Sequence, residues 1–172
     1  MSAGNDRSVK ITMIKVELLK QHSTMIPMLA NMWHELLGRI WVPDVPIERV
    51  EARFREHLND NILPLTLVAF DNDKPVGMCS LRENDGIRSD LKPWLGSLIV
   101  DKTHQGRGIG KLLIDVTKNH AKQMGFTKLY LFAFDPTIPE YYKLTLRTER
   151  VNKPCFLAPA LQPDWLAQST YI

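Results

Sequence analysis

Three glycines, Gly106, Gly108 and Gly110, stand at alternate positions directly before an amphipathic run. Glycines at the start of a helix let the backbone approach a ligand closely, and the first amide groups of a helix have no intrahelical acceptor. These donors, the positive end of the helix dipole and the side chains of Arg107 and Lys111 together form an anion site suited to a diphosphate.

The spacing excludes two common phosphate-binding motifs. A phosphate loop of the ATPase type requires Gly, four residues and then Gly-Lys-Ser/Thr, but Lys111 is followed by Leu112. A dinucleotide fingerprint requires Gly-x-Gly-x-x-Gly at the first helix of a βαβ unit, but this run reads Gly-x-Gly-x-Gly and comes late in the chain. The segment does match Gln-x-x-Gly-x-Gly, from Gln105 to Gly110. A plain glycine-rich turn is the alternative interpretation.

A strand and a helix must hold these glycines in place. The apolar segment 95–100 predicts a buried strand immediately before them. After them, apolar residues recur at helical spacing up to about residue 124, which predicts a long amphipathic helix. The predicted apolar face consists of Ile109, Leu112, Leu113, Val116, Ala121 and Met124.

The remaining pattern predicts a mixed α/β (α+β) domain. The predicted elements, in chain order, are a strand over 9–16, a helix from Ser23 or Thr24 to about residue 37 with Gly38 as its stop, a helix over 47–58, strands over 65–70 and 75–81 joined by a four-residue turn, and a fifth strand over 128–134 followed by a short helix. Residues 1–8 are expected to form a flexible lead-in.

Composition limits the functional classes. The chain of 172 residues is long enough for one domain with a substantial core. A net charge of +3 is too small to indicate nucleic acid, although it mildly favours an anionic ligand. Two cysteines, Cys79 and Cys155, provide neither a disulfide framework nor metal spacing, and Cys79 fits a small core residue. No apolar run approaches membrane-spanning length and no signal-peptide pattern occurs, so we expect a cytoplasmic protein without metal or membrane contact.

The Gln-x-x-Gly-x-Gly segment and its setting resemble the GNAT superfamily of acetyl-CoA-dependent N-acetyltransferases. The order of predicted elements resembles this family over residues 9–143. The resemblance implies a mostly antiparallel central sheet flanked by helices, in which strands 4 and 5 splay apart and admit the pantetheine arm of acetyl-CoA. It further implies acetyl transfer to a small-molecule or peptide amine, and it allows a homodimer.

The resemblance also implies roles for individual residues. The main chain of Leu98, Ile99 and Val100 would meet the pantetheine and the thioester. The residues that would hold the pyrophosphate are Gln105, Gly106, Arg107, Gly108, Ile109, Gly110 and Lys111. Asp135 would follow the fifth strand beside the cofactor, although an Asp before Pro is also a good helix start. Seven positions later, Tyr142 would protonate the departing CoA thiolate, with Tyr141 as the alternative.

The expected reaction needs no enzyme nucleophile. An amine would attack the thioester directly, and the amide of Ile99 or Val100 would stabilise the oxyanion. Some members of the family use a Glu at the position of Trp94, which cannot accept a proton. The other nearby candidates for a base are Glu83, Asp85, Asp90 and His104, and none is assigned. Ser97 is given no role beyond the strand.

The predicted acceptor pocket combines aromatic and acidic side chains. The resemblance places it between the first two helices, their connection and the loop before the fourth strand. Its candidate residues are Trp33, His34, Glu35, Trp41, Asp44, Glu83 and Asp85. Aromatic rings with carboxylates could bind a cationic amine.

The resemblance weakens at the C-terminal end. Residues 144–172 lack the glycine that usually follows the tyrosine of the family, and Pro154, Pro159 and Pro163 argue against a long final strand pair. Residues 144–151 could form one strand, with 155–158 as its partner. A catalytically weak acyl-CoA-binding or interaction module is therefore the alternative function, and a nucleotide-binding domain is a third possibility.

Overall fold

A computed structural model describes residues 13–84, 89–132, 149–151 and 169–171. Within this part of the chain, seven strands form one sheet in the order β1-β2-β3-β4-β5-β7-β6. The strands are β1 Ile14–Leu18, β2 Leu65–Asp71, β3 Lys74–Arg82, β4 Trp94–Val100, β5 Tyr130–Phe132, β6 Glu149–Val151 and β7 Ser169–Tyr171. All neighbouring strands are antiparallel except β4 and β5, which run parallel.

Four α-helices accompany the sheet in the described residues: α1 Ile26–Trp33, α2 Arg39–Trp41, α3 Ile47–Glu56 and α4 Ile109–Gln123. A 3₁₀ segment precedes α1, and a π-helical turn, His34–Gly38, joins α1 to α2. The predicted stop at Gly38 is wrong, because Gly38 has helical angles (φ −57°, ψ −44°) and the chain continues to Trp41. Gly38 instead makes room for a ring, since a Cβ there would lie 3.0 Å from Cζ3 of Trp33.

Each face of the sheet has its own core. One face packs against α4 through a cluster that includes Leu67, Cys79, Leu95 and Leu113. The opposite face packs against α1 and α3 through Leu29, Phe54, Phe70, Met78 and Ile99. Both clusters consist of side chains that are almost fully removed from water, which is the main stabilising contribution of such a layered fold.

A β-bulge in β4 changes the face to which its side chains belong. Opposite β3, Ile99 pairs with Met78 and Gly96 pairs with Ser80, so Ser97 and Leu98 together face the single residue between. Ser97 has a left-handed φ of 52°. Leu95 and Ile99 are four residues apart and would share a face in a regular strand, but they belong to opposite cores.

The ladder between β4 and β5 is short. Only Trp94 with Tyr130 and Leu95 with Leu131 are paired in the described residues, while β4 continues to Val100 alongside β3. The predicted mixed, mostly antiparallel sheet flanked by helices is confirmed, and the residues after Phe132, where strands 4 and 5 are predicted to part, lie outside the described residues.

Two turns differ from their predicted form. The β2–β3 hairpin closes with two residues, Asn72 and Asp73, rather than four, because Asn72 adopts a left-handed φ of 56° and Asp71 pairs directly with Lys74. In the described residues β6 pairs with β7, and the predicted partner 155–158 lies outside them. Asp135, Tyr141 and Tyr142 lie outside the described residues.

Candidate active site

The glycine segment forms the predicted turn into α4. Gly106 and Gly108 have left-handed φ values of 75° and 77°, and α4 begins immediately afterwards at Ile109. The amide of Leu112 donates to the carbonyl of Gly108 at 3.0 Å, so the amides of the three preceding residues have no acceptor within the helix. The first turn carries no acidic side chain. The positive end of the dipole is therefore not neutralised by the helix itself.

The polar side chains of this segment contact other parts of the protein. The amide nitrogen of Gln105 donates to the carbonyl of Val100 at 3.0 Å and ties the loop to the end of β4. Arg107 forms an ion pair of 3.2 Å with Asp71 in the β2–β3 hairpin. The Lys111 ammonium lies 2.6 Å from Asp115, one turn along α4. Since these three side chains have partners within the protein, the donors at the start of α4 without a helical acceptor are backbone amides.

The backbone of β4 can be assigned to its two edges. The amide of Asp101 donates to the carbonyl of Val76 in β3 at 2.8 Å. Because backbone groups alternate between the two edges of a strand, Val100 faces the other edge, toward β5, and Ile99 faces β3. The bond from Gln105 to the Val100 carbonyl agrees with this assignment.

A polar cluster follows β4 beside the glycines. The hydroxyl and amide of Thr103 both donate to Asp101, and these bonds lower the pKa of Asp101 to about 2. His104 lies between Asp101 (3.3 Å) and Asp71 (3.5 Å). His104, a candidate for the base, therefore lies at the C-terminal end of β4. Arg82 pairs with Trp94 at the N-terminal end of the same strand, and Arg82 lines the cleft between the helices and β3.

An open cleft of about 790 Å³ lies between the helices and the end of β3. Its walls combine two tryptophans with charged residues of both signs. The lining residues are Trp33, Trp41, Val42, Pro43, Asp44, Val45, Pro46, Arg49, Val50, Ala52, Arg53, Phe54, Glu56 and Arg82. The size is that of a small-molecule site.

Ser97 connects this cleft to β4. The indole nitrogen of Trp33 donates to the Ser97 hydroxyl at 3.1 Å, and a guanidinium nitrogen of Arg82 also donates to it. Neither Ser97 nor Arg82 is predicted from the sequence as a site residue. The interruption of the apolar run by Gly96 and Ser97 was the available signal, because a polar pair inside a buried strand is typical of a bulge.

The predicted acceptor residues divide into two groups. Trp33, Trp41 and Asp44 line the cleft. His34, Glu35 and Glu83 are not among its lining residues, and Asp85 lies outside the described residues. Glu35 is exposed and forms an i,i+4 ion pair with Arg39 at 2.5 Å, a surface arrangement typical of a solvated helix face.

A buried polar chain lies beneath the cleft. Nδ1 of His57 and Oγ1 of Thr66 are 2.8 Å apart, and Thr66 is hydrogen-bonded to Ser80 at 2.8 Å. Burial lowers the pKa of His57 to about 3, with smaller contributions from the charges of Arg82 and Arg53. His57 is therefore neutral at physiological pH.

Cys79 and Trp94 are both buried in the core. Cys79 is buried and 2.7 Å from the Thr117 hydroxyl, and burial raises the pKa of its thiol to about 12. The prediction that Cys79 is a core residue is supported, because a protonated buried thiol is a poor nucleophile. Trp94 is fully buried and donates to the carbonyl of Leu91 at 2.7 Å.

Among the residues described, no group of three or more His, Cys, Asp or Glu side chains is arranged to hold a metal ion. None of the helices in the same part of the chain has the length and apolar character needed to span a membrane.

The model of the acetyltransferase (GNAT) family matches residues 30–144 of the chain. Among curated protein sequences, none matches the chain significantly.

Solved structures share the fold at low sequence identity. An acetyltransferase of the GNAT family from Staphylococcus aureus Mu50 aligns with a TM-score of 0.65 and 16% identity over 92% of this chain and 98% of its own. Glucosamine-6-phosphate N-acetyltransferase from Arabidopsis thaliana aligns with a TM-score of 0.58 and 18% identity over 87% and 99% of the two chains. An aminoglycoside acetyltransferase from an uncultured soil metagenomic sample, in complex with trehalose, gives 0.62 and 21% over 87% and 97%.

Proposed function

The chain belongs to the GNAT acetyltransferase family, and on that premise we propose that it transfers the acetyl group of acetyl-CoA directly to a primary amine. The amine nitrogen attacks the thioester carbonyl carbon, the C–N bond forms, and the C–S bond breaks to release CoA. Acetyl-CoA supplies the activated acyl group, and the residues of this chain position it.

The start of α4 is the observation that carries the proposal. Two left-handed glycines and three amides without a helical acceptor stand at the start of α4, and its first turn has no acidic residue, an arrangement that favours a bound anion. We assign the pyrophosphate of CoA to this loop. Arg107 and Lys111 would leave Asp71 and Asp115 to reach it, while Gln105 keeps the loop fixed to β4.

The family resemblance places the pantetheine arm beside the parallel pair of β4 and β5. Trp94 and Leu95 are paired with Tyr130 and Leu131, and the resemblance puts the arm along the same edge of β4, beyond these two pairs. Val100 faces this edge and Ile99 does not, so we assign the oxyanion donor to the amide of Val100. A preorganised amide of this kind stabilises the negative charge that develops on the carbonyl oxygen.

Proton transfers complete the reaction. We propose Tyr142 as the acid that protonates the departing thiolate and Asp135 as its neighbour beside the cofactor, on the family resemblance alone. The amine has to lose a proton, and a buried Trp94 cannot take it. We therefore propose that the proton passes to water in the open cleft.

A thiol-release assay tests the activity. The protein is given acetyl-CoA and a panel of amines, and a thermal-shift measurement with CoA is run in parallel. We expect free thiol only when an accepted amine is present, and we expect CoA to raise the melting temperature. CoA protection without thiol release from any amine would instead indicate a CoA-binding protein without transferase activity.

Replacing Tyr142 tests its role. Tyr142→Phe removes the acidic proton and should lower kcat by roughly 10²-fold or more, as expected for the loss of a general acid. The affinity for CoA should stay nearly constant, since the ring is retained. Unchanged turnover would remove Tyr142 from the mechanism, and Tyr141→Phe is the matched control.

A further inference from the structure

Three arginines are among the described residues that line the cleft. Arg49 and Arg53 come from α3 and Arg82 comes from the end of β3. Arg49 and Arg53 are four residues apart, so they lie one above the other on the same face of the helix. Two carboxylates, Asp44 and Glu56, are also among the described lining residues.

The side chains of Arg49 and Arg53 form no hydrogen bond or ion pair with the rest of the described residues. Like charges at i,i+4 positions destabilise a helix. In the part of the chain that is described, neither Arg49 nor Arg53 forms an ion pair, whereas Arg55 on the same helix is paired with Glu51 at 2.8 Å. A shared anion between the two guanidinium groups would remove their repulsion.

The third arginine connects this charge to the place of acyl transfer. Arg82 donates a hydrogen bond to the Ser97 hydroxyl at the bulge of β4. Ser97 is three residues before Val100, whose backbone faces the edge assigned to the thioester. An acceptor in the cleft would thus have one end toward β4 and the other toward the arginines of α3.

We propose that the natural acceptor is an amine that also carries an anionic group, either phosphate or carboxylate, and that Arg49 and Arg53 bind this group. The inference rests on the proposed acetyl transfer. It differs from the expectation of a cationic amine held by aromatic rings and carboxylates, because Arg49 and Arg53 line the cleft and have no carboxylate partner in the described residues. Phosphate and carboxylate are both suited to the forked geometry of arginine.

Matched pairs of amines test the proposal. The pairs are ethanolamine with O-phosphoethanolamine, glucosamine with glucosamine 6-phosphate, and tyramine with tyrosine; each pair differs only in one anionic group. We expect at least one anionic member to exceed its neutral partner tenfold or more in kcat/KM, and this advantage should shrink as NaCl is added. Equal use of both members in every pair would overturn the proposal.

Charge variants identify the residues responsible. Arg49→Gln/Arg53→Gln should reduce the preference to about threefold or less, mainly by raising KM for the anionic member. The matched control, Arg39→Gln/Arg55→Gln, removes the same two charges from exposed helical positions outside the cleft and should keep the preference. Glutamine is a good helix former, so both double variants are expected to fold. An equal loss in both would indicate net charge rather than a site.

Direct binding separates this inference from the activity. Isothermal titration with the same pairs requires no turnover. If no amine releases thiol but an anionic member still binds tenfold more tightly, and only the Arg49/Arg53 variant loses this advantage, the acceptor assignment stands and the transferase proposal fails. If thiol is released while no anionic member binds or reacts better than its partner, the transferase proposal stands and this inference fails.

Discussion

His57 is a titratable residue that the fold keeps uncharged. It is 2% exposed, hydrogen-bonded to Thr66, and its pKa is lowered to about 3 chiefly by burial. In the unfolded chain an ordinary histidine has a pKa of about 6.5. Between these two values the unfolded state binds a proton that the folded state does not, so lowering the pH favours unfolding.

This difference predicts a pH-dependent stability. From pH 7 to pH 5, His57 should lower the free energy of unfolding by up to about 2 kcal/mol, and it should have no effect above pH 7. Urea denaturation of the wild-type protein and of His57→Gln at each pH provides the measurement. The wild-type curve should fall more steeply than that of the variant below pH 6.5, and the two should run parallel from pH 7 to pH 8.5. Parallel curves throughout would contradict a neutral buried His57.

Individual side chains mark the limit of what the sequence predicts. The glycine segment could be interpreted because positive φ and free amides are local properties of a few adjacent residues. Ser97, Arg82 and the arginines of α3 could not, because their significance depends on elements that are distant in sequence. Trp33 and Ser97, for example, are 64 residues apart and meet only across the folded cleft.

Helix α4 has a left-handed glycine at each end. Gly108 precedes its first turn with φ 77°, and Gly125 follows its last with φ 89°. At the C-terminal end, Phe126 donates to Ala121 and Gly125 to Lys122, both at 3.0 Å, which is a Schellman motif. A Cβ at either glycine would meet no atom within 4 Å, so backbone strain is the only intramolecular cost of substitution.

The two glycines provide a matched pair of variants. Gly108→Val and Gly125→Val should each lower the free energy of unfolding by about 2 kcal/mol, because a β-branched residue is strained at positive φ. Only Gly108→Val should weaken CoA binding, by tenfold or more, since its side chain would stand at the proposed pyrophosphate loop. Urea denaturation and titration with CoA measure the two effects. Retained affinity in Gly108→Val would refute the assignment of this loop.

Element boundaries were predictable where local rules determine them. The helix from Ile109 and the strand to Val100 follow from periodicity and flanking glycines. The helix past Gly38 did not follow, because packing of the Trp33 ring against this glycine overrides its usual role as a stop.

Across the whole molecule, the proposed cofactor would contact several elements that are separate in sequence. CoA would contact β4, the loop to α4 and the space beside β5. Ligand at 100 times its dissociation constant stabilises the folded state by about 2.7 kcal/mol. For a domain of this size, that corresponds to a rise of roughly 5–10 °C in Tm.

A thermal-shift comparison measures this effect. CoA should give the full rise, whereas ADP and NAD, which have a diphosphate but no pantetheine, should give a much smaller one. Equal protection by all three ligands would favour a nucleotide-binding domain and would count against binding of the pantetheine arm beside β4 and β5.

The overall architecture was more predictable than the chemistry of the cleft. The order of elements and the glycine segment are properties of the linear chain, and the family match over residues 30–144 agrees with them. From the sequence, Trp33 and Trp41 favour a cationic acceptor, whereas the arginines of α3, on which the proposed anion site depends, resemble an ordinary solvated helix face. Their common exposure to one cleft is a property of the tertiary structure.

The bulge at Ser97 also determines how β4 can change its length. Substitutions along the strand alter one contact at a time, whereas deleting a single residue at the bulge would restore strict alternation. Leu95 and Ile99 would then be three residues apart and would still face opposite cores, and Ile99 would stay in register with Met78. A one-residue deletion at the bulge should therefore be better tolerated than a one-residue insertion or deletion elsewhere in β4, which would turn every following side chain to the opposite face.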